Sequence, residues 1–97
     1  MAVAVIYRMS CASGRREELR GALETLARAL REIEGLQSVS VLRDVEQPDD
    51  FVFVEKWASV QAQKSSGKSL PKQAFARVMA TLADKPCGRS FEYVLET

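Results

Sequence analysis

The sequence predicts an α+β domain with the element order β-α-β-β-α-β, and three patterns predict it. Apolar runs rich in β-branched or aromatic residues fall at Ala2 to Met9, Gln37 to Arg43, Phe51 to Trp57 and Arg89 to Leu95. Apolar residues at helical spacing fill the interval after the first run and the one before the last. Gly, Pro, Ser and Asp clusters separate these stretches. The 97 residues suffice for one domain, taken as residues 1–97, because independent cores need on the order of 100 residues each.

The first run places Val3, Val5, Tyr7 and Met9 on one face and Ala4, Ile6 and Arg8 on the other. Ser13 or Gly14 is expected to cap a helix whose first turn carries Glu17 and Glu18, favourable at the positive end of the helix dipole. Leu19, Leu23, Leu26, Leu30 and Ile33 form its buried stripe, and Gly35 is expected to stop it. Gln37 to Arg43 alternates again, with Val39 and Val41 on one side. Pro48, Asp49 and Asp50 make a turn into FVFVEKW, where Phe51, Phe53, Glu55 and Trp57 share one face. Ala58 to Lys68 reads as a short helix followed by a Ser/Gly/Lys loop. Pro71 suits the first turn of a helix that carries Phe75, Val78, Met79 and Leu82 inward, ended by Pro86 and Gly88. In the last strand, Arg89 to Leu95, Phe91, Tyr93 and Leu95 oppose Glu92 and Val94.

Right-handed crossovers fold this order into a ferredoxin-like four-stranded antiparallel sheet with helices on one face. Ile6, Val52, Val54 and Val94 or their opposites then occupy the other face, and a second copy of the chain packed there would shield them from water. A domain this small buries only about two-thirds of its unfolded surface, which also favours a homodimer.

Fourteen basic against thirteen acidic residues give a net charge of +1, too little to attract nucleic acid or an anionic membrane. No run approaches the roughly 18 apolar residues of a membrane span. Cys11 and Cys87 match neither a CxxC pair nor a zinc spacing, and Met1 to Tyr7 is too short for a signal sequence, so a cytoplasmic protein with reduced thiols is expected. Histidine is absent, which removes the commonest general base and metal ligand. No metal is expected.

Four local features resemble the antibiotic biosynthesis monooxygenase (ABM) domains of the dimeric α/β-barrel superfamily. They are the GRREEL helix start (Gly14 to Leu19), the hairpin LRD-x-x-x-PDDFVF-x-E-x-W (Leu42 to Trp57), the helix F-x-x-x-M-x-x-L (Phe75 to Leu82) and the closing FEYVLE (Phe91 to Glu96). The resemblance implies a homodimer with a cavity in each subunit between sheet and helices. It also implies oxidation of a small aromatic, polyketide-like or quinol substrate without metal or flavin, so no cofactor is expected. Members often carry a histidine where this chain has Ser66, and another where it has Pro71 or Lys72. Haem-degrading relatives use a histidine as the iron ligand, so that branch is not expected here.

Such an oxygenation needs a dry cavity, a proton acceptor and donors that hold the resulting anion. Trp57 is the expected cavity wall and N–H donor, or simply core. Tyr7 and Tyr93 are candidate donors to an oxyanion, or buried tyrosines with satisfied hydroxyls. Glu55, among aromatics, is a candidate acid or base, or one half of a salt bridge. Arg43 would steer protonation. Phe53, Phe75 and Met79 would shape the cavity, and Ser66 would hydrogen-bond a ligand or only solvent. Cys11, before a helix start, is expected to have a lowered thiol pKa. The rival to a monooxygenase is a non-catalytic small-molecule-binding or structural dimer of the same fold. An RNA-recognition domain and a copper chaperone share the element order, but the RNP signature and the CxxC loop are missing.

Overall fold

The computed structural model describes all 97 residues. Strand β1 (Val3–Ser10) leads to helix α1 (Arg16–Leu30), then to β2 (Leu36–Arg43) and β3 (Asp50–Trp57). A short helix α2 (Val60–Ser65), a 3-10 turn (Ser66–Ser69), helix α3 (Lys72–Ala80) and β4 (Cys87–Glu92) complete the chain. The sheet order is β2-β3-β1-β4 and every pairing is antiparallel.

The leucine stripe makes α1 the lid of the core: Leu19, Leu23, Leu26 and Leu30 are each 0–1 % exposed. Each such burial contributes about 1.5–3 kcal/mol. They pack on Met9, Phe51 and Phe53 from the sheet and on Ala74 and Val78 from α3. The expected serine or glycine cap does not form. Arg15 occupies the N-cap position with no capping bond, and its guanidinium instead donates to Glu18 at 3.0 and 2.7 Å and to the Ala80 carbonyl at 2.7 Å. That arginine ties the start of α1 to the end of α3. Gly35 does not stop α1 either, since the helix ends at Leu30 and Gly35, with φ +89°, turns the chain into β2. Its missing side chain has a second use: a Cβ there would lie 2.6 Å from the Ala62 Cβ of α2.

Cross-strand partners share a face, so the register sorts the sheet. Val5 and Val39 flank Glu55, Tyr7 and Val41 flank Phe53, and Val3 lies opposite Trp57. This is the helix-covered face, and β3 alternates strictly between buried and half-buried along its length. The other face carries Ile6, Val52, Val54, Leu42 and Phe91 and has no helix over it. Ala4 is buried on that side, with Phe91 as its β4 partner.

Three expectations fail in the second half of the chain. The Ser/Gly/Lys segment is a 3-10 turn with Ser66 buried, entered from α2, whose Ser59 cap accepts the Ala62 N–H at 3.0 Å. In α3 Val78 is buried as expected, but Ala74 is buried beside it and Met79 is 46 % exposed, while half-buried Phe75 and Leu82, the latter beyond the helix and bridged to Cys11, pack against the core. Strand β4 starts and ends earlier than expected. Gly88 lies within it and not at the end of α3, while Tyr93 to Leu95 lie past its end. Every residue of β4 is exposed, so no burial pattern marks its true register.

Candidate functional site

On the helix-covered face, at the end of β3, Trp57 Nε1 donates to Glu55 Oε1 at 3.0 Å. The two side chains sit two residues apart on β3 and therefore point the same way. Both are enclosed, Trp57 1 % and Glu55 3 % exposed. Among Val5, Val39, Phe53 and Trp57 the carboxyl loses its hydration, and that burial raises its pKa above the ordinary value although the indole bond opposes the rise. The expected salt bridge to Glu55 does not exist. Trp57, for its part, has no free N–H to offer a ligand, because its single donor is already given to Glu55.

Tyr7 stands diagonally across from Glu55 on β1, half-buried, its ring 6.4 Å from the Phe53 ring at 54°. Burial raises its phenol pKa and the charge of Glu55 adds to the rise. The Tyr7 hydroxyl has no hydrogen-bond partner in the protein, and no buried side-chain polar atom is left unpaired, so this hydroxyl reaches the surface. Phe53 is fully buried behind it, and Phe75 of α3 packs on the same cluster. Tyr7 packs against both core clusters, the larger one that holds Phe53 with Phe75 against it and the smaller one of Val3, Val5 and Trp57.

The other candidates lie elsewhere. Arg43 pairs with Phe51, its guanidinium 5.2 Å from that ring and 3.6 Å from Glu17. Four residues of strand separate Phe51 from Glu55, about 13 Å, so Arg43 does not reach the carboxyl. Tyr93 is on the opposite side of the sheet: its ring lies 4.7 Å from Lys56 Nζ, and Lys56 bonds Glu96 at 2.7 Å. Parity explains this, since Phe91 faces the uncovered side and Tyr93 is two residues on. Ser66 donates to the Gln63 carbonyl at 2.6 Å and lines a cavity of about 410 Å³ with Ile33, Glu34, Gly35 and Ala62. A cavity of about 510 Å³ opens at the Ser10, Asp50 and Phe51 end of the sheet. Neither includes Tyr7, Glu55 or Trp57. The Cys11 thiol is pushed up by burial and by Asp49, not lowered by the helix as expected. No cluster of metal-ligating side chains occurs, and no helix is long and apolar enough to cross a membrane.

One residue of this neighbourhood escaped the sequence reading. Gly88 is the β4 partner of Tyr7, and a Cβ on it would come within 2.7 Å of the tyrosine ring. A glycine inside a strand is the available signal for such a close approach, but it was obscured by reading Gly88 as a helix terminator.

The sheet order and the helices on one face define a ferredoxin-like α+β protein. The profile of the antibiotic biosynthesis monooxygenase (ABM) family matches residues 2–78, and the chain belongs to that family. Its fold is that of SnoaB, a cofactor-independent oxygenase from Streptomyces nogalater, with TM-score 0.85 at 14 % identity over 98 % of this chain and 95 % of that one. Rv0793 from Mycobacterium tuberculosis superposes with TM-score 0.84 at 22 % identity over 99 % and 98 % of the two chains. A conserved protein of Methanosarcina mazei Go1 gives 0.84 at 16 % identity over 94 % and 91 %. No curated protein is a significant match to the sequence.

Proposed function

We propose that this chain is a monooxygenase that oxidises a small aromatic, polyketide-like or quinol substrate with dioxygen, using no metal or flavin. The observation that carries this reading is Tyr7, a half-buried phenol without a protein partner, backed by the enclosed Glu55–Trp57 pair. Tyr7 touches the substrate and donates to its oxyanion. Glu55, less acidic than an exposed carboxyl, is the candidate proton acceptor, and Trp57 holds the carboxyl in place through its N–H. For an anthrone-like ring, dioxygen supplies the new carbonyl oxygen and leaves its second atom as water. The substrate methylene provides both hydrogens and all four electrons, and the proton taken first returns to that water.

The working unit of the proposal is residues 1–97 as one domain, paired with a second copy across the uncovered sheet face, in the cytoplasm with Cys11 and Cys87 as free thiols. Oxygen uptake with a panel of anthrones, naphthols and quinols tests the reaction. Protein-dependent uptake that falls about a hundredfold in Tyr7→Phe supports it, and no uptake above buffer across the panel overturns it. The enclosure of Glu55 and Trp57 favours a second reading, a dimer that binds a small apolar molecule without turning it over. An apolar ligand retained in the native mass spectrum and unchanged under oxygen would select that reading.

A further inference from the structure

Three observations meet at the β1–β4 pairing. Tyr7 and Gly88 are direct partners, so they occupy the same helix-side face. An ideal Cβ on Gly88 would stand 2.7 Å from both Cδ1 and Cε1 of Tyr7 and 3.7 Å from Cζ. Ordinary carbon contacts begin near 3.4 Å, and the backbone of β4 is the surface on which the ring rests. The rest of that face of β4, Ser90 and Glu92, is exposed.

We propose that Gly88 is the positioning residue for Tyr7: by lacking a side chain it lets the ring lie against the β4 backbone and fixes where the phenol oxygen meets a substrate. The proposal rests on the reading of Tyr7 as the substrate-facing phenol. Phe53 supports the ring from β3, and Gly88 supplies the bare strand beside it. Any side chain at 88 must push the ring off the strand by the better part of an ångström, and misplacing a reacting group by about 1 Å is enough to cost on the order of a hundredfold in rate. Residue 88 therefore sets the position of the donor.

The charged group facing the phenol is Glu55 of β3, the diagonal neighbour of Tyr7, and it remains in the variants. In Tyr93→Phe protein Tyr7 is the only tyrosine, so ultraviolet difference titration of the phenol reads it alone. Gly88→Ala is expected to move that titration down towards an ordinary tyrosine as the ring leaves its half-buried seat. In the protein with its native tyrosines, Gly88→Ala and Tyr7→Phe should each lower kcat/KM about a hundredfold, with no further loss in the double variant. An unchanged Tyr7 titration in folded Gly88→Ala overturns the proposal. If Gly88→Ala is too unstable to titrate, Tyr7→Ala/Gly88→Ala decides: stability equal to Tyr7→Ala supports a clash with the ring, and an undiminished penalty overturns it. A wild-type protein that turns over nothing sinks the monooxygenase reading alone, because the titration and the stability comparison do not depend on turnover.

Discussion

Glu55 holds its proton more tightly in the folded chain than in the unfolded one, because burial raises its pKa above 4.5. Its contribution to stability is complete below that ordinary value and is lost as the pH rises through the raised folded value. Glu17, Glu18, Asp44 and Asp49 behave in the opposite sense. Hydrogen bonds from Arg20, from Arg15, from the backbone of Glu46 and Gln47, and from Arg16 lower them in turn, so their contributions are lost as the pH falls. Urea unfolding between about pH 5 and pH 8 isolates the first effect: wild type should lose stability as the pH rises, and Glu55→Gln should lose much less. Equal slopes would exclude Glu55 as the titrating group. Trp57→Phe leaves the carboxyl without its donor and opens a void where the second indole ring lay, and should cost at least about 1–3 kcal/mol in the same measurement. The alternation of Phe51, Phe53, Glu55 and Trp57 was visible in the sequence because each of those positions but one is a bulky aromatic. The partner of Glu55 was not, since an i, i+2 bond depends on two side-chain rotamers that no spacing encodes.

Strand β3 and helix α1 were legible because each buries one face completely and writes that face into its residues. Leu23→Ala, in the middle of the leucine stripe, should therefore cost about 2–5 kcal/mol by denaturant unfolding. Strand β4 was misread at both ends for the converse reason: it is an edge strand exposed along its whole length, so apolar Tyr93, Val94 and Leu95 passed for strand while Cys87 and Gly88 passed for the end of the helix. In α3 Val78 was read correctly as inward, but Met79 was taken for an inward residue and Ala74 was missed. The buried positions are the small or branched Ala74 and Val78, followed past the helix by Thr81, whose hydroxyl donates to the Val78 carbonyl at 2.7 Å. Close packing against α1 selects small side chains, and hydropathy alone points to Phe75 and Met79. The cap of α2 offers a separate check, since Ser59→Ala removes the acceptor of the Ala62 N–H and should cost about 0.5–2 kcal/mol.

For the molecule as a whole, the uncovered sheet face is the feature that a solitary chain leaves unresolved. Ile6, Val52, Val54 and Phe91 lie there among Arg8, Lys56 and Arg89, and Phe91 is 45 % exposed. Pairing of two such faces predicts a sedimentation mass at micromolar concentration of twice 10.8 kDa, and Val54→Lys should return the chain to monomer while its far-ultraviolet dichroism is retained. A mass of a single chain in the wild type would refute the pairing. The fold could be read from the sequence because hydrophobic pattern specifies layers. The site could be read only in part, because what the layers enclose depends on register, and β4 hid its register. The contact between Gly35 and Ala62 extends beyond this one chain. The turn after α1 and the helix α2 touch where a β-carbon on residue 35 would overlap that of residue 62. Among descendants that keep this backbone, residue 35 is held to glycine twice over: a φ of +89° strains any side chain there, and a Cβ would also overlap that of residue 62. Aligned relatives should therefore keep glycine at 35 whatever stands at 62, an evolutionary trace of one turn.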